Sequence, residues 1–107
     1  MITVTYSPEK RQIRMKGHAG YAEDGKDIIC SAASTLFFTL CQSLISIEEC
    51  LATAPEMEKT KGRAAVSCVP KADCEETIDT IYWTVVNGFH MLSQQYPEYV
   101  NLKILKY

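Results

Sequence analysis

The sequence lacks the closely spaced histidine or cysteine pairs that build many metal centres. Its 107 residues include two histidines and five cysteines, and no C-x-x-C or H-x-x-x-H pair occurs. Because zinc sites in proteins commonly use such closely spaced pairs, we expect no metal and no other cofactor. An odd number of scattered cysteines favours reduced thiols over a disulfide framework. These cysteines are Cys30, Cys41, Cys50, Cys68 and Cys74.

The sequence also lacks an excess of positive charge. The formal net charge is −2, whereas proteins that bind nucleic acid usually carry a basic excess. We therefore expect no direct nucleic-acid partner.

Signals for export and membrane insertion are missing as well. The first residues begin a strand-like pattern directly, without the basic region and apolar core of a signal peptide. No uninterrupted apolar run reaches the roughly 18 residues needed to cross a bilayer. We expect a cytoplasmic protein with no membrane partner.

The spacing of apolar residues predicts an α/β fold with the element order ββαβαβ. Apolar and polar residues alternate at 2–7, 12–16, about 62–69 and 100–104, as in half-buried strands. Apolar residues recur at three- and four-residue steps from 29 to about 53 and again after 73, as in amphipathic helices. We predict one domain over residues 1–107, a two-layer sandwich with both helices on one face of a small mixed or antiparallel sheet of four or five strands.

Two aspartates mark the predicted helix starts. Asp73, with Glu76 three residues later, predicts a capping box for the second helix. Asp27 is the N-cap candidate of the first helix, which makes Cys30 its third residue. Unpaired amides and the helix dipole stabilise negative charge at that position.

A glycine-bearing loop joins the second strand to Cys30 and carries His18, twelve residues upstream. A thiol becomes a strong nucleophile when it loses its proton, and an imidazole and a helix N-terminus both promote that loss. The loop therefore predicts a reactive cysteine with its base. Free cysteines most often serve packing. The residues alone therefore leave the choice between a reactive and a packing role open for Cys30, and we predict a packing role for the other four cysteines. We also predict that residues 19–27 are mobile until a peptide binds.

Three segments of this region resemble the signature of the bacterial ribosomal-processing cysteine protease (Prp) family. The resemblance extends over the whole chain in length and in the order of elements. Ser31 is a small departure, because the family more often has alanine beside the cysteine. The matching segments are Gly17-His18-Ala19, Gly25-Lys26-Asp27-Ile28-Ile29-Cys30 and Ser34.

The resemblance implies a homodimeric cysteine protease that removes a short N-terminal extension from a protein of the large ribosomal subunit. It implies that Cys30 is the nucleophile and His18 its general base. Gly17, Asp27 and Ser34 match positions that support the site or adjoin the substrate. For such a reaction we expect the backbone amides at the helix start, including that of Cys30, to stabilise the oxyanion.

Two other classes of function stay open from the sequence. One is a non-catalytic ribosome-associated or RNA-binding module that uses the exposed sheet face. The other is a redox-sensing thiol protein, since a readily ionised cysteine is also a target of oxidation. Preferential labelling of Cys30 by iodoacetamide at neutral pH would argue against the first class, and peptidase activity would argue against the second.

Overall fold

Five strands and two long helices make up the fold. The computed structural model describes residues 1–23 and 27–106. Short 3₁₀ turns, Glu48–Cys50 and Ala72–Cys74, follow the first helix and precede the second. The elements are β1 (Ile2–Ser7), β2 (Gln12–Lys16), α1 (Ile28–Ser46), β3 (Glu56–Thr60), β4 (Arg63–Ser67), α2 (Glu75–Gln95) and β5 (Val100–Ile104).

The strands form one mixed sheet in the order β3-β4-β2-β1-β5. Neighbouring strands are antiparallel except β1 and β5, which pair in parallel with Val4 opposite Leu102. A strand that joins a sheet in parallel must be reached by a long crossover connection. The chain reaches β5 from β4 by such a connection, which contains α2. The predicted α/β class with a small mixed sheet is confirmed.

The core lies between the sheet and the two helices. Alternate residues of β1, β2 and β4 are buried, among them Val4, Ile13 and Val66. They form a single cluster with the buried faces of α1 and α2, so both helices cover the same face of the sheet, as predicted. Gly88 of α2 allows the helices to approach closely, because a Cβ there would lie 2.5 Å from Leu36 Cδ2.

The turn between β1 and β2 is tied to α2. Arg11 has the left-handed φ of 47°, and its guanidinium donates to both carboxylate oxygens of Asp79, at 2.7 and 3.1 Å. The Tyr82 hydroxyl donates to the Arg11 carbonyl at 2.7 Å. These contacts fix the β1–β2 hairpin against the helix layer.

The observed order, ββαββαβ, has one strand more than the predicted ββαβαβ. The additional strand, β3, is exposed along its whole length, so it lacks the alternation of buried and exposed residues by which strands are predicted. It forms by pairing with β4 through a two-residue turn, with Thr60 opposite Arg63. Gly62 in that turn has a φ of 78°, a conformation that glycine adopts without strain.

Two predicted helix boundaries were wrong. Helix α1 ends at Ser46 rather than near residue 53, because Ile47 leaves helical geometry at φ −122° and a 3₁₀ turn follows. The capping box at the start of α2 is also absent among the described contacts. The 3₁₀ turn, closed by the Cys74 N–H to the Lys71 carbonyl at 2.9 Å, moves the N-cap from Asp73 to Cys74.

Helix α1 is long and apolar enough to cross a membrane by length and composition, with 19 residues and a mean hydropathy of 1.8. Serine, threonine and glutamine residues interrupt its apolar residues, so the expectation that no uninterrupted apolar run reaches about 18 residues still holds. The core helix of a soluble protein meets the same criteria. Six residues of α1 lie in the core of this fold: Ile29, Ala33, Phe37, Leu40, Cys41 and Leu44.

Candidate active site

The loop that leaves β2 begins at Gly17, which closes the sheet end against a neighbouring turn. Its N–H donates to the Gly62 carbonyl at 2.8 Å. Gly17 has a φ of 98°, and a Cβ there would lie 2.3 Å from the Met1 carbonyl oxygen. Only glycine fits this close approach, so the fold itself requires glycine at position 17, independently of any substrate.

Asp27 is the N-cap of α1, as predicted. Its Oδ1 accepts from the N–H groups of Ile29 and Cys30 at 3.1 and 3.0 Å, and its Oδ2 accepts from Tyr21 N–H at 3.1 Å. Burial opposes ionisation of the carboxyl, but hydrogen bonds from the backbone and side chain of Cys30 and from the Tyr21 and Ala22 backbone outweigh it and lower the pKa of Asp27. The carboxylate thus ties the loop to the helix start.

The loop is also held from outside by aromatic contacts. The ring of Tyr21 meets the rings of Tyr99 and Tyr96 edge-on, with centroids 5.3 and 6.2 Å apart. Edge-to-face geometry is favourable for aromatic pairs. Together with the hydrogen bond to Asp27, these contacts place Tyr21 near the end of α2.

Cys30 is the third residue of α1 and is half-buried. The N–H of Ala19 donates to its Sγ at 3.3 Å. An amide donor and the N-terminus of a helix both favour the thiolate over the thiol. The Asp27 carboxylate, which accepts a hydrogen bond from the Cys30 side chain, opposes this by favouring the thiol, and Cys30 also contacts the core.

His18 and Cys30 line the same cavity, whose volume is about 230 Å³. His18 is exposed, and its Nε2 would lie 3.1 Å from a Cβ placed on Gly62. Gly17 and Ser34, both predicted as site residues, also line this cavity, and Ser34 follows Cys30 by one helical turn. The structure thus brings four of the five predicted residues to one cavity, and the fifth, Asp27, caps the helix beneath it.

Positive charge surrounds the cavity from the β3–β4 hairpin. Lys59, Lys61 and Arg63 line it beside Gly62. The sequence did not indicate this basic cluster, because β3 lacks the alternation that predicts a strand and the hairpin that brings the three residues together. The Lys61-Gly62 dipeptide was the available signal, since a glycine in a two-residue connection between extended segments indicates a hairpin.

The expectation that the backbone amides at the start of α1 stabilise the oxyanion was wrong in part. The amides of Ile29 and Cys30 donate to Asp27 Oδ1, and the Ser31 N–H donates to the Asp27 carbonyl at 3.1 Å. Strong capping therefore occupies the amides that were expected to be open. The Ala19 N–H is instead the amide that faces the sulfur.

Gly25 and Lys26 of the signature lie outside the described residues, as does Asp24 before them. The predicted mobility of residues 19–27 therefore stays a prediction. Within the described ranges, no cluster of three or more histidine, cysteine or acidic side chains is arranged to hold a metal ion.

Comparison with known families decides how this arrangement is classified. The family described as "Cysteine protease Prp" matches residues 1–101. The chain belongs to the Prp family of cysteine proteases. Membership of Prp favours a protease over the non-catalytic RNA-binding and redox-sensing alternatives. No curated protein matches the chain significantly.

Solved structures show the same fold. The ribosomal processing protease Prp from S. aureus with a covalently linked product peptide has a TM-score of 0.81 and 24% identity, covering 98% of this chain and 100% of that one. The same S. aureus protease with a substrate peptide gives a TM-score of 0.76 and 21% identity, with coverage of 98% and 100%. SMU.848 from Streptococcus mutans gives 0.70 and 24%, covering 97% of this chain and 91% of that one.

Proposed function

We propose that this Prp-family chain is an endopeptidase that removes a short N-terminal extension from a protein of the large ribosomal subunit, with Cys30 as nucleophile and His18 as general base. The observation that carries the proposal is the cavity shared by these two side chains at the start of α1. Gly17, Asp27 and Ser34 support the pair. The proposed site of action is the cytoplasm.

The first step is the ionisation of Cys30 and its attack on the substrate. His18 takes the thiol proton, and the thiolate is stabilised by the Ala19 N–H and the N-terminus of α1. The basic side chains of the β3–β4 hairpin add positive charge around the cavity. The sulfur then attacks the scissile carbonyl carbon, and a C–S bond forms as the carbonyl becomes an oxyanion.

The second step releases the two products. The imidazolium of His18 gives its proton to the leaving amine as the C–N bond breaks, which leaves a thioester on Cys30. His18 then takes a proton from a water molecule that attacks the thioester. The acyl product leaves as a carboxylic acid, and the thiol is restored.

The oxyanion needs a donor close to the sulfur, and we assign the Ala19 N–H to this role. It lies 3.3 Å from Cys30 Sγ, whereas the Cys30 amide is bound by Asp27. The oxyanion is the former carbonyl oxygen, and its carbon is bonded to Sγ. It would therefore lie within reach of the same donor. Preorganised amide donors of this kind lower the barrier of acyl transfer.

The proposed substrate rests on the family and on its relatives. The S. aureus protease is described as a ribosomal processing protease and has been crystallised with a substrate peptide and with a product peptide. An extended peptide is compatible with an open cavity at the edge of the sheet, where β3 is exposed. This supports a peptide segment as the substrate.

We also propose that the chain forms a homodimer through the outer face of α1. That helix has no charged residue, and its exposed side chains include Phe38 and Ile45, which are 49% and 46% exposed. Met57 of β3 lies beside them around a cavity of about 320 Å³. A second copy of this face can cover the apolar side chains of α1, with the oppositely charged Glu58 and Lys59, which also line this cavity, beside them.

The catalytic proposal is tested with a peptide that spans the processing junction of the candidate ribosomal protein, its products read by mass spectrometry. Cys30→Ala and His18→Ala are expected to reduce the cleavage rate by at least about a thousandfold, because members of a nucleophile and base pair act as a unit. The matched controls are Cys74→Ala and His90→Ala, which lie outside the cavity and should cleave normally. Activity near wild type in either site variant, with its fold intact by circular dichroism, contradicts the assignment.

The dimer is tested by sedimentation of wild type and Phe38→Glu. The charge is expected to convert the dimer to a monomer, because it would be buried without a partner. Met91→Glu is the control, since Met91 of α2 is 68% exposed on another surface. A monomeric wild-type protein, or a Phe38→Glu dimer, would refute this interface.

A further inference from the structure

Two cysteines outside the candidate active site lie in contact. Cys50 is the last residue of the 3₁₀ turn after α1, and Cys74 is the N-cap of α2. Their sulfur atoms are 2.6 Å apart although 24 residues separate them in the sequence. Both are half-buried, so reagents from solution have access to them.

The backbone holds these two thiols together. Leu51 forms a β-bridge with Pro70. The N–H of Ala52 donates to the Val69 carbonyl, and the N–H of Lys71 donates to the Cys50 carbonyl, both at 2.8 Å. The segments on either side of the β3–β4 hairpin thus form a short antiparallel ladder that places the two cysteines side by side.

From this contact we propose that Cys50 and Cys74 are a redox-modification site and form a reversible intramolecular disulfide. The disulfide would link the end of α1 to the start of α2. It would also close the loop that contains the β3–β4 hairpin, including Lys59, Lys61 and Gly62 of the cavity. The proposal does not depend on the proposed proteolytic function.

The oxidant is a low-molecular-weight disulfide, for which oxidised glutathione is the probe. One cysteine thiolate attacks a glutathione sulfur, forms a mixed disulfide and displaces one glutathione thiolate. The second cysteine, once deprotonated, attacks the protein sulfur of that mixed disulfide and displaces the other glutathione. Two protein thiols are oxidised to one disulfide, and one oxidised glutathione is reduced to two thiols.

The two thiols do not ionise together. The hydrogen bond to Cys50, then burial, then the negative charges of an ionised Cys50 and of Asp73 raise the pKa of Cys74 to about 11. The charged residues at the ends of the two turns are Glu48, which begins the first, Lys71, which precedes the second, and Glu75, which follows it. The exchange needs only one thiolate at a time, so the pair can react although both thiols do not ionise together.

The other thiols have different surroundings. Cys41 and Cys68 are buried, and burial raises the pKa of each thiol. Cys68 accepts from the Tyr82 hydroxyl at 3.7 Å rather than meeting another cysteine. Cys30 receives the Ala19 amide at the opposite end of α1. Oxidation is therefore expected to select Cys50 and Cys74 as a pair.

The test incubates the full chain in glutathione buffers of increasing oxidised fraction, blocks free thiols with N-ethylmaleimide, and maps crosslinks by mass spectrometry. We expect a single internal crosslink, Cys50 to Cys74, that a dithiol reductant reverses. Its formation should raise the melting temperature by roughly 10 °C, because the closed loop restricts the unfolded chain. Cys30→Ser should form the same crosslink, which separates this chemistry from that of the catalytic proposal.

Cys50→Ser and Cys74→Ser should each lose the crosslink and the thermal shift on oxidation. Both positions are partly exposed, and serine is close to cysteine in size, so the reduced variants are expected to fold. Crosslinks that involve another cysteine, glutathione adducts on Cys50 or Cys74 without ring closure, or fully alkylated thiols in the most oxidising buffer would each overturn the proposal.

Discussion

Replacing Asp27 tests how much one carboxylate stabilises the start of α1 and the loop before it. The Asp27 carboxylate accepts hydrogen bonds from two amides of the helix, those of Ile29 and Cys30, and from one amide of the loop, that of Tyr21. Loss of an N-cap costs about 1 kcal/mol, and the third bond to a charged acceptor adds about 1–2 kcal/mol. We expect Asp27→Ala to lower the free energy of unfolding by about 2–3 kcal/mol and the melting temperature by roughly 10–15 °C.

Asp27→Asn isolates the contribution of the charge. Asparagine keeps one oxygen for the helix amides, but its nitrogen cannot accept from Tyr21 N–H, so we expect a loss of about 1–2 kcal/mol at neutral pH. The pKa of Asp27 is lowered in the folded protein. Its stabilisation is therefore complete above the unfolded pKa of about 4 and is lost as the pH falls through the lower folded value. The difference between wild type and Asp27→Asn should shrink only under acid conditions.

The assay is urea unfolding followed by circular dichroism at about pH 7, 5 and 3. Asp73→Asn is the matched control, because Asp73 precedes α2 without capping it. It should change stability by less than about 0.5 kcal/mol. The reasoning fails if Asp27→Ala is as stable as wild type, or if the Asp27→Asn deficit is the same at pH 3 as at pH 7.

Two further substitutions probe contacts on either side of the site. Gly62→Ala should reduce peptide cleavage by more than its loss of stability explains, because the new methyl group would lie 3.1 Å from His18 Nε2. The control is Gly20→Ala, since Gly20 has a similar φ of 69° and no atom within 4 Å of the added methyl group. It measures the effect of backbone strain alone, about 1–2 kcal/mol. Equal cleavage by both variants would contradict this reason. Asp79→Ala should lower the melting temperature by a few degrees, since it removes the paired bonds of Arg11. Calorimetry at low and high salt checks this, and an unchanged melting temperature would mean that the ion pair is not stabilising.

The features of the site that could be predicted are those set by neighbours in the chain. The N-cap role of Asp27 and the place of Cys30 in the first turn follow from the four consecutive residues 27–30, and the structure confirms both. Cavity lining by His18 depends on the path of the loop. A glycine-bearing segment of twelve residues has too many paths for the sequence to choose among them, and the family resemblance supplied that information.

The missed features depend on pairing between distant segments. Strand β3 has no buried face and forms through its partner β4, so its own residues gave no strand pattern. Contact between Cys50 and Cys74 follows from the Leu51–Pro70 bridge, which the hairpin insertion makes possible. Asp73 had a suitable cap sequence, but the adjoining 3₁₀ turn moved the helix start beyond it.

The two walls of the cavity differ in how freely they can change. Cys30 belongs to a helix whose inner face fills the core, so an altered residue there affects packing throughout the protein. The opposite wall belongs to a hairpin whose outer strand, β3, has one neighbour and no buried side chain. Exchange of β3 and the Lys61-Gly62 turn between relatives, with the buried Ala64 and Val66 of β4 kept, should therefore alter which peptides are accepted at little cost to folding, a practical route to variants with new cleavage preferences.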